Sequence, residues 1–218
     1  MTLLYIIIIA TALVSYKGFS DRLFFEKYKF NVSDVIYRKE YHRLLTAGFL
    51  HADWMHLIFN MMTLYFFSPI VLEAFGTIGL LLIYFGSILL GNWFSVYIYK
   101  KQGWYSAIGA SGGVSGILFA AIAVYPHLEL FLFFIPIPIK GYIFGALYFG
   151  YSVYMMLNPK QWDNLGHAAH LGGAFFGLAY AIVLLPEVAM GNLQYLGIMS
   201  LPLLYLCYEL FVKKKIGR

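Results

Sequence analysis

The sequence predicts an all-α, polytopic transmembrane helical bundle, and three observations predict it. Hydrophobic residues fill 61% of the 218 positions, enough for six spans of about 20 apolar residues each. Charged residues make up only 11%, less than half of the roughly 25% carried by a soluble domain, and too few to cover a soluble surface or to keep the chain disordered. The apolar residues also gather in runs of spanning length, separated by polar or proline-bearing joints.

Taken in order, the spans fall at 2–16, 49–72, 78–99, 108–125, 141–157 and 165–185. The first run lacks the basic flank of a signal peptide and is expected to be retained as a membrane span. The longest polar segment, 17–46, joins the first two spans. Pro126 closes the fourth, Ile135-Pro136-Ile137-Pro138 marks a non-helical joint before the fifth, and Asn158-Pro159-Lys160 breaks the chain before the sixth. A further apolar run, 193–212, carries Pro202 and Glu209 and is a candidate seventh span. The expected division is therefore a six-span core over 1–185 and a C-terminal segment, 186–218, that ends in a basic tail.

The net charge of +5 comes from basic residues scattered through Lys17 to Arg43 among acidic ones, with a second group at Lys213, Lys214, Lys215 and Arg218. Such a rim fits anionic lipid head groups, and no nucleic-acid partner is expected. Under the positive-inside rule the joint at 17–46, with Lys100, Lys101 and Lys160, faces the cytoplasm; Lys140 and, on a six-span count, the C-terminal cluster face the other way. Cys207 stands alone, so no internal disulfide is available. The location expected is multi-pass in the plasma membrane.

Polar side chains inside spans are costly and mark function by default. Those in this chain are His51, His56, Asn60, Ser111, Ser115, His167 and His170, all within the N-terminal parts of spans two, four and six. Even-numbered spans cross in one direction, so these groups share one side of the bilayer. His56 and Asn60 fall about 40° apart on one helical face, and His167 and His170 about 60° apart, whereas His51 and His56 are separated by about 140°. Ser111 lies in Gly109-Ala110-Ser111-Gly112-Gly113. A serine hydroxyl becomes a useful nucleophile when a neighbouring base takes its proton, and histidine suits that role near neutral pH. Backbone N–H groups at a helix start offer donors to an oxyanion. Gly112 and Gly116, with Gly173 and Gly177, form small-residue faces that let spans four and six pack closely enough for Ser111 to meet His170.

Three stretches resemble the rhomboid intramembrane serine proteases: His51-Ala-Asp-Trp-Met-His56-Leu-Ile-Phe-Asn60, Gly109-Ala-Ser111-Gly, and Ala169-His170-Leu-Gly-Gly173, in the family's order and on its spans. Arg43 and the Ile135–Pro138 segment are similar to further family features. The resemblance implies a Ser–His dyad with Ser111 as nucleophile and His170 as general base. It also implies an oxyanion hole from Asn60, His56 and the Ser111 N–H, a structural His51, and no cofactor or metal. Its implied partners are membrane-spanning protein substrates, met within the surrounding lipids. Ser115 departs from the pattern: many rhomboids have an aromatic residue there, on which the histidine ring rests. His42 likewise stands where the family often has an aromatic residue.

Other readings compete. An inactive relative that binds membrane clients would not need Ser111 and His170 intact. A zinc site built from the four histidines lacks an accompanying Glu and leaves the glycine-flanked serine unexplained. The serine motif also fits a nucleophile elbow, which needs a strand and a soluble sheet that this chain does not offer. Asp163 lies seven residues before His170, too far along the span's entry to complete a triad.

Overall fold

The computed structural model describes residues 2–132, 135–160 and 162–213; Lys214, Lys215 and Arg218 of the basic tail lie outside the described residues. The fold is an all-α membrane bundle. Four described helices are long and apolar enough to cross a membrane, spanning Thr2–Ser20, Trp54–Tyr99, His167–Leu184 and Leu193–Val212.

Helix α1 (Thr2–Ser20) runs a turn past the expected end at residue 16. The polar joint after it is a folded cap. Asp21 opens α2 (Arg22–Tyr28) by accepting from the Phe24 N–H at 2.9 Å. Asn31 opens α3 (Val32–Tyr37) in the same way through the Asp34 N–H. Between them β1 (Phe30–Asn31) pairs antiparallel with β2 (Ser106–Ala107). Phe30, Val32, Val35, Leu44 and Ala47 form a small core of their own. Arg43, which opens α4 (Arg43–Thr46), is 5% exposed. Its guanidinium donates to the carbonyls of Glu26 and Lys29, both at 2.8 Å, and to the Glu40 carboxylate at 2.6 Å.

The expected spans 49–72 and 78–99 are the two arms of α5 (Trp54–Tyr99), which begins five residues later than the sequence reading because Asp53 caps it through the His56 N–H. A straight helix of 46 residues would reach about 69 Å. Yet the Asn92 amide donates to the Leu44 carbonyl at 2.8 Å, and the rings of Phe49 and Phe85 stack 6.3 Å apart. The chain therefore folds back at Gly76, whose φ of 68° and ψ of −175° belong to a region that only glycine occupies readily.

Helix α6 (Ser111–Val124) is the buried centre, with every residue from Gly112 to Ala123 enclosed. It is followed by a hairpin of β3 (Glu129–Leu132) and β4 (Ile135–Lys140), which contains the proline joint, and then by α7 (Gly141–Leu157), α8 (His167–Leu184) and α9 (Pro186–Gly191). The candidate seventh span is α10 (Leu193–Cys207), continued by a π turn over Tyr208–Val212. It starts beside the far end of α6, where the Asn192 amide donates to the carbonyls of Ala123 and Val124. It packs along α7, and its last turns share the wall of a cavity of about 490 Å³ with Tyr97 of α5 and Leu171 of α8. Lys213 consequently lies on the Ser111 side with Lys100 and Lys101, as a seventh crossing requires, and not on the side of Lys140 where the six-span count put it.

Candidate active site

The site begins with the loop before α6. Gly109 has φ +115° and donates its N–H to the Ala47 carbonyl at 2.9 Å. A Cβ at Gly109 would stand 2.8 Å from the His56 ring, so glycine here both permits the turn and lets that imidazole lie against the loop. Ser111 follows as the first residue of α6, where backbone N–H groups have no helical partner.

Helix α8 reaches α6 along paired glycines. A Cβ on Gly173 would strike the Gly112 carbonyl, and one on Gly177 the Gly116 carbonyl. Only bare backbone allows this approach. It carries His170, in the first turn of α8, to Ser111: the Ser111 Oγ lies 2.6 Å from His170 Nε2. Among the described residues no side chain hydrogen-bonds the other ring nitrogen of His170.

Asn60 is 7% exposed and donates one amide hydrogen to the His56 carbonyl at 2.8 Å, leaving its second for another acceptor. His56 Nδ1 accepts the Ala52 N–H at 3.3 Å, so the neutral ring carries its proton on Nε2, the atom beside Gly109. His51 is not inside a span. It precedes α5, and its ring meets His56 edge-on at 4.8 Å between centroids. Its Nε2 accepts the Ala110 N–H at 3.2 Å, its Nδ1–H donates to Ser15 Oγ at 2.9 Å, and Ser15 donates to the Phe49 carbonyl at 2.8 Å. This chain of donors ties α1 to the residue before Ser111.

Asp163 makes no hydrogen bond to His170. It pairs with His167, Oδ2 to Nε2 at 2.7 Å, with both side chains buried. The sequence reading missed Ser15, legible as a hydroxyl in an apolar run. It also missed Tyr148 of α7, whose ring lies at 26° to the His170 imidazole, 6.4 Å between centroids, and whose hydroxyl meets Ser115 Oγ at 2.9 Å. A cavity of about 20 Å³, bordered by Ala47, Asn92, Gly109, Ser111 and Gly112, adjoins the serine and has room for one water. Among the described residues no three His, Cys, Asp or Glu side chains converge to hold a metal.

Similarity to known proteins follows the same residues. The Rhomboid domain family model matches residues 38–187. The chain is 27% identical over 165 residues to "Rhomboid protein 1, mitochondrial" of Saccharomyces cerevisiae, covering 72% of this chain and 45% of that protein. It is 32% identical over 149 residues to "RHOMBOID-like protein 12, mitochondrial" of Arabidopsis thaliana, covering 61% and 43%. Against "Presenilin-associated rhomboid-like protein, mitochondrial" of Homo sapiens it is 30% identical over 140 residues, covering 63% and 36%. It thus spans less than half the length of each of these relatives. With a domain match over more than half its length, and the histidine, asparagine and serine motifs inside that match, this multi-pass integral membrane chain belongs to the rhomboid family.

Proposed function

We propose that this protein is an intramembrane serine endopeptidase that hydrolyses peptide bonds in or near the transmembrane segments of other membrane proteins. The observation that carries the reading is the 2.6 Å contact between Ser111 Oγ and His170 Nε2, a nucleophile and base within direct proton-transfer reach.

In the reaction His170 takes the Ser111 proton as Oγ attacks the scissile carbonyl. The oxyanion is received by the free amide hydrogen of Asn60, the Nε2–H of His56 and the Ser111 N–H. His170 then returns the proton to the leaving amine, and water hydrolyses the acyl-enzyme with His170 again as base. Helix α6 has 14 residues and is about 21 Å long, short of the roughly 30 Å hydrocarbon core, which supports a Ser111 set below one membrane face within reach of water. The plasma-membrane location expected from the sequence gains no support from the three relatives above, all named as mitochondrial.

The test uses purified protein in liposomes with a single-span substrate. Cleavage by the parent that survives chelator, is blocked by a serine-directed fluorophosphonate and is absent from Ser111→Ala supports the assignment. Equal cleavage by Ser111→Ala overturns it.

A further inference from the structure

We propose that Tyr148, anchored by Ser115, is the positioning residue that fixes the imidazole plane of His170. The inference rests on the hydrolase reading above and adds to it the means by which the base is held. A proton-accepting imidazole needs its plane and tautomer defined, a task that a carboxylate often performs. Here Asp163, the carboxylate that precedes α8, is engaged with His167, and the described residues offer His170 no second hydrogen-bonding side chain. What the ring does have is two aromatic neighbours at 6.4 Å, the edge-on ring of His167 from its own helix and the near-parallel ring of Tyr148 from α7, within the range of offset aromatic contacts.

Tyr148 is itself constrained. Phe119 of α6 and Phe144 of α7 lie 5.4 and 5.8 Å from its ring, and its hydroxyl is bound to Ser115. Ser115 is 6% exposed, so its Oγ needs a partner, and Tyr148 provides one. Ser115 also lies four residues after Ser111 on the same buried helix, a rise of about 6 Å. Three contacts therefore close a triangle among three helices: Ser111 to His170 joins α6 to α8, Ser115 to Tyr148 joins α6 to α7, and Tyr148 to His170 joins α7 to α8. A rigid turn of α6 spaces the nucleophile from the hydroxyl that holds the support of its base. The small side chain at 115 thereby has a use: it leaves room for a ring from α7 and supplies the bond that holds it.

The experiment measures the rate at which a fluorophosphonate labels Ser111, with kcat and KM on a single-span substrate, for the parent, Tyr148→Phe, Tyr148→Leu, Ser115→Ala, Ser115→Thr and the double variant Ser115→Ala/Tyr148→Phe. Loss of the ring in Tyr148→Leu is expected to slow labelling and kcat by about tenfold, and loss of the hydroxyl in Tyr148→Phe by about threefold, with KM unchanged. Ser115→Thr, which restores a hydroxyl, labels faster than Ser115→Ala. The double variant is no slower than the slower single one, because both substitutions cut the same bond. Labelling of Tyr148→Leu and Tyr148→Phe at the parent rate overturns the proposal while leaving the hydrolase reading in place. A parent that is not labelled at all overturns that reading itself.

Discussion

Gly173 of α8 rests against the Gly112 carbonyl of α6 with no space for a side chain between them. That contact joins the residue after Ser111 to the one three positions past His170, and it sets how near their helices come. Gly173→Val is expected to lower stability by about 1–3 kcal/mol through overpacking and to abolish fluorophosphonate labelling by separating the pair. Thermal unfolding in detergent and labelling at a temperature where the variant stays folded check the two effects separately.

If Asn60 stabilises the transition state as proposed, Asn60→Ala should lower kcat by about 10²–10³ and leave KM nearly unchanged. A change confined to KM would place Asn60 in substrate binding instead.

Arg43 is buried among two carbonyls and the Glu40 carboxylate, with Asp34 at 3.3 Å. Arg43→Met strands those acceptors and should cost about 3–5 kcal/mol. Arg43→Lys recovers only part of this, since a point charge cannot serve the same fork of acceptors. Chemical unfolding of the two variants against the parent reads both values.

The same cluster gives a pH dependence. The hydrogen bond from Arg43 holds the Glu40 carboxyl below its ordinary value of 4.5. The unfolded chain then binds a proton more readily than the folded one, so this contribution is complete above the ordinary value and fades as pH falls through the lowered one. Between about pH 5 and pH 3 the parent should lose more stability than Glu40→Gln, which has no such proton to gain. Parallel slopes for the two proteins would remove Glu40 from the account.

The path of α10 predicts that Thr2 and Lys213 lie on opposite faces. Thr2 belongs to the end of α1 remote from Ser15 and His51, whereas Lys213 reaches the Ser111 side. Accessibility of terminal tags in sealed vesicles reads this directly, and termini on the same face would contradict the seventh pass.

Much of this architecture was legible in the sequence because the bilayer enforces it. Apolar runs must be long, and a polar group inside one stands out, which is why the nearness of Ser111 and His170 could be anticipated from spans four and six. Helix ends were read less well. Asp53 moved the start of α5 to Trp54 and left His51 outside, because a cap is decided by one side chain and not by the hydropathy of a window. The fold of residues 17–46 was hidden because its short helices depend on Arg43 gathering the carbonyls at the end of α2, Glu26 and Lys29, from a distant point of the chain. Tyr148 was hidden for another reason. Among 19 tyrosines, in a chain where the residue suits both core and interface, nothing local distinguishes the one that faces His170.

The reversal at Gly76 has a consequence for biogenesis. Gly76 is the one non-helical residue between the two arms of α5, so there is no long loop to thread through the insertion machinery between them. The second and third crossings are therefore expected to enter the lipid together as a hairpin, and any side chain at that vertex, which has space for one but a φ that strains it, would hinder this entry first.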